Sequence, residues 1–335
     1  MTQGWGSKAS QAFQQLAPSR LQWGSGRATL AVNRRENRPE SAVPTQRTAR
    51  NLKGPVDHDV PVLAVHNEEG RLKAILFGYA CHATTLSLNQ WSGDYPGFAQ
   101  RNLEKNHPEC VALFWAGCGA DQNPLPRRTV ELAEHYGRRL ADAVESVLMT
   151  SAMHELASSL QVSYHEVDLS LDTLPTRVEL EQNAQSSNKY EAIRAKTLLQ
   201  QLDAGQPLAP TYPYPVSVWK LGGSVTKNKN GVAEANAEQS TPVHSDTEVT
   251  WIALGGVVVV DYALRLKSEL GGISTWVAGY SNDVMAYIPS RRVLREGGYE
   301  GGGAMVYYGL PTIWAPVLEN QIVAQVHAML ENQTK

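Results

Sequence analysis

Lys73-Ala-Ile-Leu-Phe-Gly-Tyr79 and Val111-Ala-Leu-Phe-Trp-Ala116 are two short apolar runs, separated by one helical segment and followed by another. The second run shows no alternation of apolar and polar residues, as expected of a strand covered on both faces. Between them, Asp94 reads as an N-cap, with Pro96 in the first turn of a helix reaching about Asn106. After them, Leu132, Tyr136, Leu140, Val144, Val147 and Leu148 recur at helical spacing from about Thr129 to Met149, with Glu131 and Glu134 near the positive end. Strand–helix–strand–helix implies parallel strands joined by a right-handed crossover. Ligands of such sheets sit beyond the carboxyl ends of the strands. His82 and the Gly117–Pro124 loop, which leave those ends, are therefore expected to face one crevice.

Working outward, Val60–Val65, a turn at Asn67–Gly70 and Lys73–Tyr79 read as a β-hairpin. Gln161–Leu171 and Val216–Leu221 read as strands, and 177–202 as a solvated helical region. The polar stretch 222–247 lacks buried periodicity and reads as a surface insertion. Thr250–Leu254 is a strand, and Val257–Val260 is open between strand and helix start. A helix over Asp261–Leu270, a strand over Thr275–Tyr280, the loop Ser281–Tyr287, a glycine-rich segment at Gly297–Gly303 and a helix from about Ala315 complete the chain. Residues 1–32 read as a poorly ordered lead-in and 33–335 as one domain. The expected class is α/β, with a largely parallel or mixed sheet flanked by helices.

The 335 residues are 42% hydrophobic and 19% charged, which suffices for a full core and excludes a wholly disordered chain. A net charge of −3 offers no basic surplus for phosphates, so nucleic acid is excluded as the main ligand. No apolar run approaches the ~20 residues of a transmembrane segment. Cys81, Cys110 and Cys118 form neither a disulfide framework nor a CxxC pair, and read as small buried residues. Met1–Lys8 lacks the apolar core of a secretory signal.

Few residues carry chemistry by pattern alone. Position leaves His82 open between an ordinary hydrogen-bonded histidine and a metal ligand. Asp57-His58-Asp59 has metal-like chemistry but precedes a strand that spreads its side chains, so a structural role is expected. Gly117-Cys-Gly119 lacks the third glycine of a dinucleotide fingerprint, and neither a GxSxG elbow nor a Walker loop is present. Tyr299-Glu300 reads as a solvated pair in a flexible loop. These features give an α/β protein with a polar crevice and leave its function open.

Several segments nevertheless resemble the neutral/alkaline non-lysosomal ceramidases, in the family's order: Asn33-Arg34-Arg35, Val56-Asp-His-Asp59, Tyr79-Ala-Cys-His82, Ser92-Gly-Asp-Tyr-Pro-Gly-Phe98, Trp115–Asn123, Gly255-Gly256, Asn282–Tyr287 and Gly298-Tyr-Glu300. The resemblance implies a zinc-dependent amidohydrolase cleaving the amide of ceramide or a related N-acyl lipid. A metal suits that reaction because an amide carbonyl is a poor electrophile. It implies His82 and Tyr287 as zinc ligands, and Arg34 and Tyr299 beside the scissile amide. Asp94 falls in a family turn where a cap and a catalytic role are both open. The implied partner is a small-molecule or lipid substrate, and the implied location of the family is outside the cell.

The departures matter as much. The family's first zinc histidine lies upstream of its Asn-Arg motif, and the thirty-two residues before Asn33 contain no histidine. The catalytic region is therefore expected to be N-terminally incomplete. The position of the glutamate ligand is occupied by Val257, although the family match favours a helix start there. Gln122 stands near the family's loop serine, and Asp121 offers a carboxylate from the same loop. Weakened zinc affinity is expected. A non-catalytic homologue that binds a lipid-like or amide ligand, or a hydrolase of another amide or ester, is the alternative.

Overall fold

The computed structural model describes residues 2–150, 153–223 and 247–333. After a helix α1 (Thr2–Gln14) come strands β1 (Ser19–Arg27) and β2 (Ala31–Asn33), then α2 (Val43–Thr48). The hairpin β3 (Asp59–Asn67) and β4 (Leu72–Tyr79) is followed by α3 (Asp94–Asn106), β5 (Val111–Ala116), β6 (Gln122–Pro124) and α4 (Val130–Met149). Next are β7 (His154–Leu156), β8 (Leu160–Ser170), α5 (Arg177–Asn183), α6 (Lys189–Asp203) and β9 (Thr211–Gly222). The last part holds β10 (Glu248–Leu254), β11 (Val257–Val258), α7 (Val260–Leu270), β12 (Thr275–Ala278), β13 (Tyr287–Ile288), α8 (Arg291–Glu296) and α9 (Leu318–Gln333).

The strands build a mixed five-stranded sheet in the order β5-β4-β3-β1-β7 and a mixed four-stranded sheet in the order β12-β10-β9-β8. As the sequence implies, β4 and β5 are parallel and α3 crosses between them. The alternation of strand side chains separates three apolar clusters. Val62, Ile75 and Phe77 face Ala99, Leu103, Leu140 and Val144 of α3 and α4. Trp23 and Leu63 point the other way and meet Trp251 and Trp276 of the second sheet. Ile252, Val216 and Val277 then face Tyr262, Leu266, Ile322 and Val326 of α7 and α9. The result is a helix–sheet–sheet–helix stack, joined where Trp23 and Trp115 of the first sheet pack on Trp276 and Trp251 of the second, with ring centroids 5.8 and 4.7 Å apart.

Two readings of the sequence need correction. The lead-in 1–32 contains β1, an internal strand of the five-stranded sheet that pairs with β3 along nine residues. Its glycines hide it: a Cβ at Gly26 would lie 2.7 Å from Val147 of α4, so the small side is a packing requirement. Val257–Val258 is a strand, parallel to β13, rather than part of the helix, which starts one residue after Val259. The expected polar insertion at 222–247 falls almost wholly outside the described residues. Among those described, no helix is long and apolar enough to cross a membrane.

Candidate functional site

The loops after β4 and β5 do leave the same sheet edge, and their close approach depends on glycine. A Cβ at Gly119 would sit 2.5 Å from the backbone nitrogen of Cys81. The His82 amide donates to the Gln122 carbonyl (3.0 Å), and the Arg34 amide donates to the Asp121 carbonyl (2.8 Å). Residues 121 and 122 thus fix both His82 and Arg34 through their backbone. Asp94 pins the other end of the histidine loop, accepting from the amides of Thr85 (3.2 Å) and Leu86 (2.8 Å). Gly93, rather than Asp94, is the N-cap of α3.

His82 and Tyr287, 205 residues apart, converge: Nε2 of the imidazole lies 3.4 Å from the phenol oxygen. Nδ1 lies 3.0 Å from the Tyr280 hydroxyl. A neutral imidazole donates through one nitrogen and accepts through the other. Burial, and then the nearby Arg34 guanidinium, push the His82 pKa down to about 3, so the ring is neutral at ordinary pH. Tyr280 and Asn282 sit in the left-handed region (φ 54° and 66°), uncommon for a tyrosine and readily adopted by asparagine, at the start of the loop that leads to Tyr287.

Arg34 organises the opposite wall. Its Nη2 donates to the Tyr287 oxygen (3.4 Å), and its Nε to Glu300 (2.7 Å). Arg35 donates to the second Glu300 oxygen (2.7 Å). Two guanidinium groups outweigh the desolvation of Glu300 and hold its carboxyl below the usual range. The Tyr299 ring packs on Tyr287 with centroids 5.1 Å apart, and the Arg34 guanidinium lies 5.7 Å from the Tyr299 ring centre. Burial, followed by the neighbouring Tyr287, raises the Tyr299 pKa to about 12. Glu300 is therefore a buried organising carboxylate, not a solvated partner of Tyr299; the sequence reading missed it, as it missed Tyr280.

Asp121 and Gln122 do not point their side chains at this cluster. Asp121 is fully buried: Oδ1 accepts from the Val260 amide at the start of α7 (2.9 Å) and Oδ2 from Asn33 (3.2 Å). Gln122 donates to the Ala80 carbonyl and accepts from the Asp57 amide (3.2 Å). Both polar side chains are consumed by structural bonds, which is why neither reaches the crevice. Asp57 and Asp59 are likewise engaged, by Lys267 at 2.7 and 2.9 Å, and His58 lies 3.3 Å from the Ala31 carbonyl, in keeping with the structural role read for this triplet.

Burial raises the Asp121 pKa to about 6, above the ~3.9 of an unfolded aspartate. The folded state therefore holds this proton more tightly. Its contribution to stability is complete below about pH 4 and is lost as pH rises through about 6. Unfolding free energy measured from pH 4 to 6.5 is expected to show that decline, and Asp121→Asn to flatten it. An unchanged slope in the variant places the proton elsewhere.

Among the described residues, the donors beside His82 fall short of a zinc site. Zinc needs at least three protein donors with nitrogen, sulfur or oxygen ligands. His82 and Tyr287 supply two. Position 257 pairs with Tyr287 across β11 and β13, so its side chain shares that face, but it is a buried valine. No group of three His, Cys, Asp or Glu side chains with metal-binding geometry occurs among the described residues.

No protein-family model and no curated protein sequence matches the chain. Solved structures do match. A ceramidase complexed with C2 superposes with a TM-score of 0.59 at 16% identity, covering 92% of this chain and 53% of its own. A neutral ceramidase from Pseudomonas aeruginosa gives 0.57 at 18%, covering 93% and 51%. The chain has the ceramidase fold, and it spans about half the length of these proteins.

Proposed function

We propose that this chain forms the amide-binding core of a ceramidase-like hydrolase, taking an N-acylated substrate of the ceramide type with its carbonyl between Arg34, Tyr287 and Tyr299. The observation that carries this reading is the meeting of three side chains from remote parts of the sequence, with Arg34 Nη2 and His82 Nε2 each 3.4 Å from the Tyr287 oxygen. A guanidinium held against a phenol places two donor groups side by side, which suits a carbonyl oxygen, and suits it better as negative charge develops there. The edge-to-face tyrosines give the apolar part of an amide a wall to pack on. Neutral His82 is a weak proton acceptor at this pKa and serves as a nitrogen donor toward an electron-poor centre. The likeness to ceramidase structures supports the choice of amide over other carbonyl ligands.

Binding of N-dodecanoylethanolamine, N-dodecanoylglycine and a short-chain ceramide, measured by calorimetry, tests the reading. At least one is expected to bind, and Tyr287→Phe to weaken it about tenfold, the size of one lost polar contact to a buried site. Absence of binding below ~1 mM for all three sinks the proposal. A reading with zinc-dependent turnover is favoured by one distance: two ligands of a tetrahedral zinc lie ~3.4 Å apart, as His82 and Tyr287 do. It requires donors beyond those two. The opposing reading, a binder without turnover, is favoured by Val257. Fatty-acid release with and without added zinc separates them.

A further inference from the structure

A cavity of about 610 Å³ opens beside the His82–Tyr287 pair and shares Arg34 and Tyr299 with it; its other walls are Arg38, Pro39, Glu40, Asn123, Arg127 and Glu300. Its chemistry is not that of a pocket for a neutral chain. Both carboxylates are already engaged: Glu300 by Arg34 and Arg35, and Glu40 by a two-pronged contact from Arg127 (2.6 and 3.0 Å). Arg38 has no carboxylate partner among the described residues; its Nε donates to the Arg34 carbonyl (3.3 Å) and the rest of its fork is unengaged. Asn123 is 1% exposed, yet only its side-chain oxygen has a partner, the Thr84 hydroxyl (3.4 Å). Its amide nitrogen is left as a donor into the cavity. The walls thus offer an excess of donors and a single unbalanced positive charge, that of Arg38.

We propose that this cavity recognises a carboxylate on the amine side of the amide ligand, so that the substrate class is an N-acylated amino acid rather than an amide with a neutral alcohol headgroup. The inference rests on the amide-binding reading above. Arg38 supplies the charge and Asn123 a second hydrogen bond, a pairing suited to a planar monoanion. One unbalanced charge matches a carboxylate better than a phosphate dianion.

Calorimetry with N-dodecanoylglycine, its neutral counterpart N-dodecanoylethanolamine, and the O-phosphorylated ethanolamide decides the matter. The wild-type protein is expected to prefer the carboxylate over the neutral amide by about tenfold or more, and over the phosphate. Arg38→Gln, at an exposed position, is expected to reduce the carboxylate-to-neutral ratio about tenfold. Equal affinity for the carboxylate and the neutral amide, or a ratio unmoved by the substitution, overturns this inference and leaves amide binding intact. Tighter binding of the phosphate overturns the choice of a monoanion. Failure of every amide to bind overturns both.

Discussion

Glu300→Gln is expected to cost about 3 kcal/mol of folding stability, an unusually large effect for a residue in a glycine-rich loop. Glu300 is 2% exposed and accepts from two guanidinium groups at 2.7 Å each. The substitution keeps the shape but leaves Arg34 with no carboxylate, while Arg35 retains Glu296 at 3.0 Å. Breaking one side of a buried ion pair costs more than removing the pair, because the surviving charge stays desolvated. The double variant Glu300→Gln with Arg34→Met is therefore expected to be more stable than Glu300→Gln alone, measured by denaturant titration. The acid response has a definite sign. The folded-state pKa of Glu300 is depressed, so its contribution is present above the unfolded value of ~4.3 and disappears as pH falls through the folded value. The single variant lacks that acid-side loss. A cost under about 1 kcal/mol, or a double variant no better than the single, removes Glu300 as the organiser of Arg34.

Val257→Glu carries the second large effect, and its direction depends on zinc. In the wild-type protein metal content is expected to stay below ~0.1 zinc per chain after dialysis, since two donors do not hold the ion. The pairing of Val257 with Tyr287 places a carboxylate at that position on the same side as the phenol and close to His82. Three donors from one face then reach the minimum of an open zinc site. Without metal the substitution buries a carboxyl among apolar neighbours and is expected to destabilise by about 2–3 kcal/mol. With zinc at a hundredfold excess over its dissociation constant, the variant is expected to regain about 2.7 kcal/mol, and the wild type nothing. Metal analysis and melting temperature with and without zinc give the readout. A folded variant that takes up no zinc shows that position 257 does not face the pair, and a wild-type protein that holds one equivalent shows that the donor set is larger than His82 and Tyr287.

The region 73–149 was legible because strands covered on both faces and a long amphipathic helix write strong patterns. β1 was not, because Gly26 lies against α4 where a side chain has no room and Gly24 shares its face, leaving Leu21 and Trp23 on the other face as a signal too short to read. The convergence of His82 and Tyr287 came from the family resemblance, not from any local feature. Glu300 stayed hidden because its partners are 265 and 266 residues away, and no local pattern reports a buried charge pair over that separation. Asp121 and Gln122 carried the right residue types for chemistry. Their side chains are spent on a helix start and on loop backbone at Ala80 and Asp57, which only the packing reveals.

The placement of β1 has a kinetic side. Residues 19–27 leave the ribosome before either neighbour of that strand: β3 follows some thirty residues later, and β7 only at 154–156. The tryptophan layer that covers it from the far side waits for Trp251 and Trp276. Long loops must close before these contacts form, which is slow and leaves a nascent strand edge open to wrong pairing. Completion of the layer around this strand is thus tied to the emergence of residues 251–276.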